Sequence, residues 1–247
     1  MTFRAAGRFV WLAFEITAAL FDYIFEVTLR APKNLHAARA AWMHRTACAH
    51  LKIFGGPVTV AGEIPQSGLL VSNHLSYLDI VVISSVTPTV FVSKAEVRHW
   101  PVFGMLARMG GTIFIQRERR LDVGEVNHEI KNALGEGLLV VIFPEGTSSN
   151  GETILPFRAA LLEPALRGNY QISLACLRYE LADGDAKTDV CYWGDHSFFP
   201  HLLNLLGKKS IRAKLRFGKF NRTTDDRKEL AQQLHAAVTE LKTQNDK

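Results

Sequence analysis

Leu69-Leu70-Val71-Ser72-Asn73-His74-Leu75-Ser76-Tyr77-Leu78-Asp79 runs from an apolar, β-rich segment through a polar turn into a helical pattern. Strand, turn and helix in that order make the repeating unit of an α/β sheet, and such sheets bind ligands outside the carboxyl ends of their strands. His74 falls on that turn. An imidazole there takes a proton from a hydroxyl near neutral pH, and a carboxylate within reach holds its tautomer and stabilises the imidazolium as it forms. Asp79 is the candidate carboxylate. On an unbroken helix a spacing of five puts two residues about 140° apart, so contact requires His74 before the helix and Asp79 in its first turns.

Further β-rich runs lie at Val58 to Ala61, Val90 to Ser93, Thr112 to Gln116 and Leu138 to Phe143, with helical patterns at Tyr77 to Ser85, Pro101 to Met109 and Leu121 to Glu136. A second set of strands is expected at Ile172 to Tyr179, Val190 to Trp193 and Ile211 to Phe217. The run from Asp225 to Lys242 reads as an amphipathic helix capped by Thr224 or Asp225, with Leu230, Leu234, Ala237, Val238 and Leu241 on one face. A chain of 247 residues, 47% of them hydrophobic, buries its core in one domain. The fold expected is α/β: a single domain over residues 56–247 with a central mixed, mainly parallel sheet flanked by helices.

Residues 1–55 read differently. The apolar run from Phe9 to Leu29 contains Glu15, Asp22 and Glu26 and has no small-residue cleavage site, so it does not read as a signal peptide. Arg4, Arg8, Glu15, Asp22 and Glu26 are spaced by four, seven, seven and four, which makes one polar stripe on an otherwise apolar helix ended by Pro32. Charges are costly within a bilayer span, so a helix lying in the interface or tilted against a partner is expected rather than a lone transmembrane rod. A second helix from Asn34 to Phe54 carries His36, Arg39, His44 and Arg45 towards that stripe. The expectation is a membrane-associated helical pair whose apolar faces meet lipid rather than the main core.

The formal net charge of +5 suits an anionic partner, lipid or nucleic acid, without demanding one. Three cysteines without a C-x-x-C pair indicate neither a disulfide framework nor a zinc site, and point to a reducing compartment. Asp183, Asp185 and Asp189 lack the ligand order of an EF-hand, so no metal is expected. His196 and His201 read as surface or packing residues. No G-x-S-x-G nucleophile turn occurs, which disfavours an acyl-ester hydrolase.

Phe143-Pro144-Glu145-Gly146-Thr147-Ser148 ends another strand in a turn rich in hydrogen-bonding groups, with Gly146 permitting close backbone approach. Gly111 to Arg117 ends a third in an arginine, whose planar fork suits a phosphate. In order and spacing NHLSYLD, GTIFIQR and FPEGTSS resemble three of the four blocks of the lysophosphatidic acid acyltransferase, or PlsC-like, family, and a wider likeness runs from about Ala38 to Val238. In the fourth block, Ile172 to Leu177 lacks the family's usual proline.

That resemblance implies an O-acyltransferase in which His74 deprotonates the acceptor hydroxyl and Asp79 orients His74. It further implies that Arg117 binds the acceptor's phosphate, that Glu145, Gly146 and Thr147 line the acceptor side, and that Lys94 and Arg158 contact an anionic head group. No cofactor is implied; acyl-ACP or acyl-CoA is the co-substrate. The expected acceptor is lysophosphatidic acid, with lyso-ornithine lipid as the alternative. The partners implied are membrane lipids, a lysophospholipid and the thioester carrier, not nucleic acid, at the cytoplasmic face of the cell membrane.

Overall fold

The computed structural model describes residues 2–115, 122–163, 166, 168 and 170–245. Seven strands form one sheet in the order β1-β7-β6-β2-β5-β3-β4. They are β1 (Val58–Ala61), β2 (Gly68–Ser72), β3 (Val90–Lys94), β4 (Ile113–Ile115), β5 (Leu139–Ile142), β6 (Ile172–Leu181) and β7 (Ile211–Phe220). Every neighbouring pair is parallel except β6 with β7. The sheet is therefore mixed and mainly parallel, as expected. Its centre is buried on both faces, and continuous apolar runs such as Gly68–Ser72 and Leu139–Ile142 are what that position requires.

Side-chain alternation splits the core into two layers. Leu70, Leu139, Val141, Ala175, Leu177, Tyr179 and Leu215 face one layer, and Leu69, Val71, Val140, Ile142, Leu174 and Cys176 face the other. The first layer is covered by α3 (Leu78–Val86), α7 (Phe198–Gly207) and parts of α1 (Phe3–Tyr23) and α2 (Leu35–Ile53). The second is covered by α5 (Asp122–Gly135) and α8 (Arg227–Asn245). Between β3 and β4 a 3₁₀ turn (Ala95–His99) leads into α4 (Phe103–Met109), and the short α6 (Ala186–Asp189) precedes α7.

The N-terminal pair departs from the expectation for it. Ala5 and Leu12 of α1 and Ile53 and Phe54 at the end of α2 lie in the main core. Trp42 is fully buried against Ala19, Val27 and Leu106, and its Nε1 donates to the Ala19 carbonyl at 2.9 Å. Part of the stripe turns inward. Arg8 donates to the Lys208 carbonyl at 2.5 Å and the Lys209 carbonyl at 3.2 Å, and Arg4 to the Gly207 carbonyl at 3.1 Å, so two cations cap the carboxyl end of α7. Asp22 takes Arg45 at 2.8 Å, the pairing expected across the two helices. His36 instead meets Glu136 at 3.0 Å. The outer face of α1 and its π-helical continuation (Ile24–Leu29) is apolar: Phe3, Val10, Phe14, Phe21, Phe25 and Leu29 are all exposed. Among the described residues no helix is long and apolar enough to cross a membrane.

Two further expectations need correction. Val190 to Trp193 is not a strand; Val190 and Cys191 are buried, but the Tyr192 N–H donates to the Leu75 carbonyl at 2.8 Å instead of entering a ladder. The cap of α8 is Asp226, whose Oδ1 accepts the N–H groups of Lys228 and Glu229 at 2.8 Å each.

Candidate active site

β2 ends at Ser72, and Asn73 holds it to β6 beyond the last ladder contact. The Asn73 Oδ1 accepts the Leu177 N–H at 2.7 Å and its Nδ2 donates to the Leu177 carbonyl at 3.1 Å. The chain then turns through His74, Leu75 and Ser76 before α3 begins at Leu78. Asp79 is on the first turn of that helix, fully buried, and its carboxylate closes the turn. Its Oδ2 accepts His74 Nδ1 at 2.7 Å, the Leu75 N–H at 2.6 Å and the Ser76 N–H at 3.0 Å. The contact that the spacing made conditional is therefore formed, because the histidine precedes the helix. Tyr179 of β6 donates its hydroxyl to Asp79 Oδ1 at 2.7 Å.

His74 is fixed from three other directions. Its ring stacks on Phe143 with centroids 4.2 Å apart, its N–H donates to Glu145 Oε1 at 2.7 Å, and its carbonyl accepts the Ser149 N–H at 2.9 Å. Nδ1 faces Asp79, so Nε2 is the ring nitrogen left for other chemistry.

Glu145 does not line the cleft as expected. It is 2% exposed, and its second oxygen accepts the Leu155 N–H at 2.8 Å. Burial pushes its carboxyl above the usual range, against the two backbone donors that favour the charged form. Its position explains why: Gly146 follows at φ 73, a left-handed conformation that glycine adopts without strain, and the turn directs the preceding carboxylate back under His74.

A cleft of about 230 Å³ opens beside His74, lined by Lys94, Trp100, Phe143, Gly146, Thr147 and Tyr192 among others. Gly146, Thr147 and Lys94 border this cleft. Arg158 does not line this cleft; it is exposed, and its N–H donates to the Pro144 carbonyl at 2.8 Å. Arg117 lies outside the described residues. Trp100 and Tyr192 also border an apolar cavity of about 690 Å³ between α1, α4 and α7, lined by Phe9, Leu12, Ile16 and Phe198.

Tyr77, on the same turn, donates to or accepts from His201 Nδ1 of α7 at 2.9 Å. Burial, reinforced by nearby His196, lowers the His201 imidazole to about 4, so it is neutral at pH 7. The roles of Asn73 and Tyr179 escaped the sequence reading, whereas His201, read there as a surface or packing residue, is buried. Only the tyrosine's place on the inward face of an apolar strand could have marked it, since neighbours across a sheet have no signature in spacing.

Comparison with known proteins bears on this arrangement. The sequence model of the acyltransferase family matches residues 57–177, which hold His74, Asp79 and the Glu145 turn. A lyso-ornithine lipid O-acyltransferase of Brucella abortus (strain 2308) is 33% identical over 246 residues, covering 93% of this chain and 90% of that protein. This chain belongs to the PlsC-like acyltransferase family. The acyltransferase is also 39% identical over 142 residues to a 1-acyl-sn-glycerol-3-phosphate acyltransferase of Neisseria gonorrhoeae, covering 54% of this chain and 56% of that one. Its fold matches the crystal structure of the 1-acyl-sn-glycerophosphate acyltransferase PlsC from Thermotoga maritima with a TM-score of 0.60 at 18% identity, over 95% and 98% of the two chains.

Proposed function

We propose that the chain transfers a fatty acyl group from a thioester donor to the free hydroxyl of a lysolipid at a membrane surface, with His74 as general base. The observation that carries this reading is the dyad: Asp79, buried and saturated with donors, holds Nδ1, which leaves Nε2 for an acceptor hydroxyl beside the cleft. Nε2 takes the hydroxyl proton, the oxygen attacks the thioester carbonyl, the C–S bond breaks, and His74 returns the proton to the departing thiolate. One ester forms as one thioester is lost, without an acyl-enzyme.

Gly146 and Thr147 flank the reacting atoms, and Lys94 faces an anionic head group. Arg117 keeps the phosphate or carboxylate contact that its block implies, and exposed Arg158 stands further out. The neighbouring apolar cavity suits hydrocarbon, lying within the roughly 300–1,000 Å³ typical of ligand sites. The apolar outer face of α1 supports docking on one leaflet, which the reducing-compartment reading assigns to the cytoplasmic side.

A lyso-ornithine lipid is the favoured acceptor, because the Brucella relative so named matches nearly the whole of both chains. This reverses the order set by sequence alone. Lysophosphatidic acid is the second reading, supported by the Neisseria relative over about half of each chain. Purified protein should be assayed with both acceptors and with acyl-ACP and acyl-CoA as donors. We expect kcat/KM to favour the aminolipid by about tenfold or more; the opposite preference restores lysophosphatidic acid. His74→Ala should lower the rate by about 10²- to 10⁴-fold while leaving the fold intact, and a rate near that of the unmodified protein would refute the base assignment.

A further inference from the structure

Asp79 is loaded unevenly. Three donors converge on Oδ2, the His74 ring and two backbone N–H groups, while Oδ1 has Tyr179 as its hydrogen-bond donor. Tyr179 is 3% exposed and Asp79 is fully buried, so water does not substitute for the hydroxyl. A buried carboxylate oxygen without a donor is costly, and it relieves that cost by turning towards another donor or by taking up a proton. Either response withdraws the oxygen that holds His74.

We propose that Tyr179 is a positioning residue of the reaction: its hydroxyl fixes the rotation of the Asp79 carboxylate and shares its charge, and so sets how strongly His74 holds a proton. The inference rests on His74 being the base. Burial first, then the neighbouring Asp79 charge, keeps the Tyr179 phenol far above its ordinary range, so it remains a donor at every working pH. The titratable groups around the pair are few. His74 comes from the turn before α3, Glu145 from the loop after β5, and Cys191 from the segment after α6; burial, then Asp79, pushes the Cys191 thiol up to about 12. None of the three offers a ready replacement: the imidazole is already bonded to Oδ2, Glu145 faces His74 and Leu155 backbone, and a thiol is a weak donor.

The sign of the effect follows. Without the phenol, Asp79's charge is left to His74 and to the Leu75 and Ser76 N–H groups, the dyad binds its proton more tightly, and the acid limb of kcat/KM moves to higher pH. Hydrogen bonds to charged groups are strong enough to move that limb by about one unit. Tyr179→Phe should therefore fold normally, raise the acid limb by about one unit and lower kcat at neutral pH roughly tenfold, with acceptor KM changed by less than about twofold. In an Asp79→Asn background the same replacement should shift nothing further.

As a second probe, 3-fluorotyrosine placed at 179 alone keeps the side chain and strengthens the donor, so the limb should move down. The NMR titration of the His74 ring reports both shifts without reference to turnover. Lower activity with an unmoved limb and an unmoved His74 titration overturns the proposal and leaves Tyr179 as packing. A wild-type enzyme whose rate is indifferent to His74→Ala instead overturns the base assignment beneath it.

Discussion

Glu145 illustrates how much of this site is backbone. Its two oxygens each take one N–H, from His74 and from Leu155, so a carboxylate rather than an amide fits both ends. Glu145→Gln supplies one acceptor and turns an NH₂ group on the other donor, leaving a buried N–H unsatisfied at a cost of about 1–3 kcal/mol. The melting temperature should fall by a few degrees and kcat should drop as His74 loosens, with acceptor KM within about twofold. A raised acceptor KM with unchanged kcat and melting temperature would instead put the carboxylate against substrate. At this scale the sequence was informative about chemistry and poor about direction. FPEGTSS announces a carboxylate on a glycine turn, but which way it points depends on His74, 71 residues earlier. His74 and Asp79 were legible because both partners lie within one turn of chain.

At the scale of elements, α1 has two sides of opposite character. Its cations reach inward to the end of α7, and its phenylalanines face out. Phe14 and Phe21 are 67% and 68% exposed, so charging them removes no core contact. Phe14→Asp with Phe21→Asp should leave the melting temperature within about a degree of wild type and weaken sedimentation with anionic phospholipid vesicles by about tenfold or more. Unchanged vesicle binding would end the case for α1 as the lipid-facing element. The two helices themselves were readable from their periodicity and from Asn34, whose side chain accepts the Ala37 N–H at 2.8 Å. Their share in the core was not, because Arg4 and Arg8 find partners at the end of α7, some 200 positions further along the chain. Val190 to Trp193 failed for a related reason: apolar residues at a strand's spacing are also what a buried loop needs, and the turn at Leu75 claimed its backbone.

Across the whole molecule, the alternation of strand and helix made the α/β sheet legible, including the apolar runs of its centre. The antiparallel return of β7 was left open, since neighbour order has no local signal. The packed whole also carries a pH liability. His201 is 6% exposed and its imidazole is lowered from 6.5 to about 4, chiefly by burial. The unfolded chain binds this proton from about pH 6.5 downward while the folded chain resists it to about pH 4, so stability present at neutral pH is lost as pH falls through that window. The loss is on the order of 3 kcal/mol at its low end. Burial lowers His50 in the same direction. Melting temperature followed from pH 7 to pH 4.5 should decline, and His201→Asn, which keeps a polar group near Tyr77 but cannot titrate, should flatten the decline. An equally steep fall in the variant would assign the effect elsewhere.

The bond from Arg8 to the Lys208 carbonyl spans 200 positions of chain. Ribosomes add about 5–20 residues per second, so Arg8 is synthesised roughly 10–40 s before the carbonyls it caps have been made. Through that interval the aromatic side of α1 is bare and its arginines have no partner on α7. α1 is thus made well before the element that seats it.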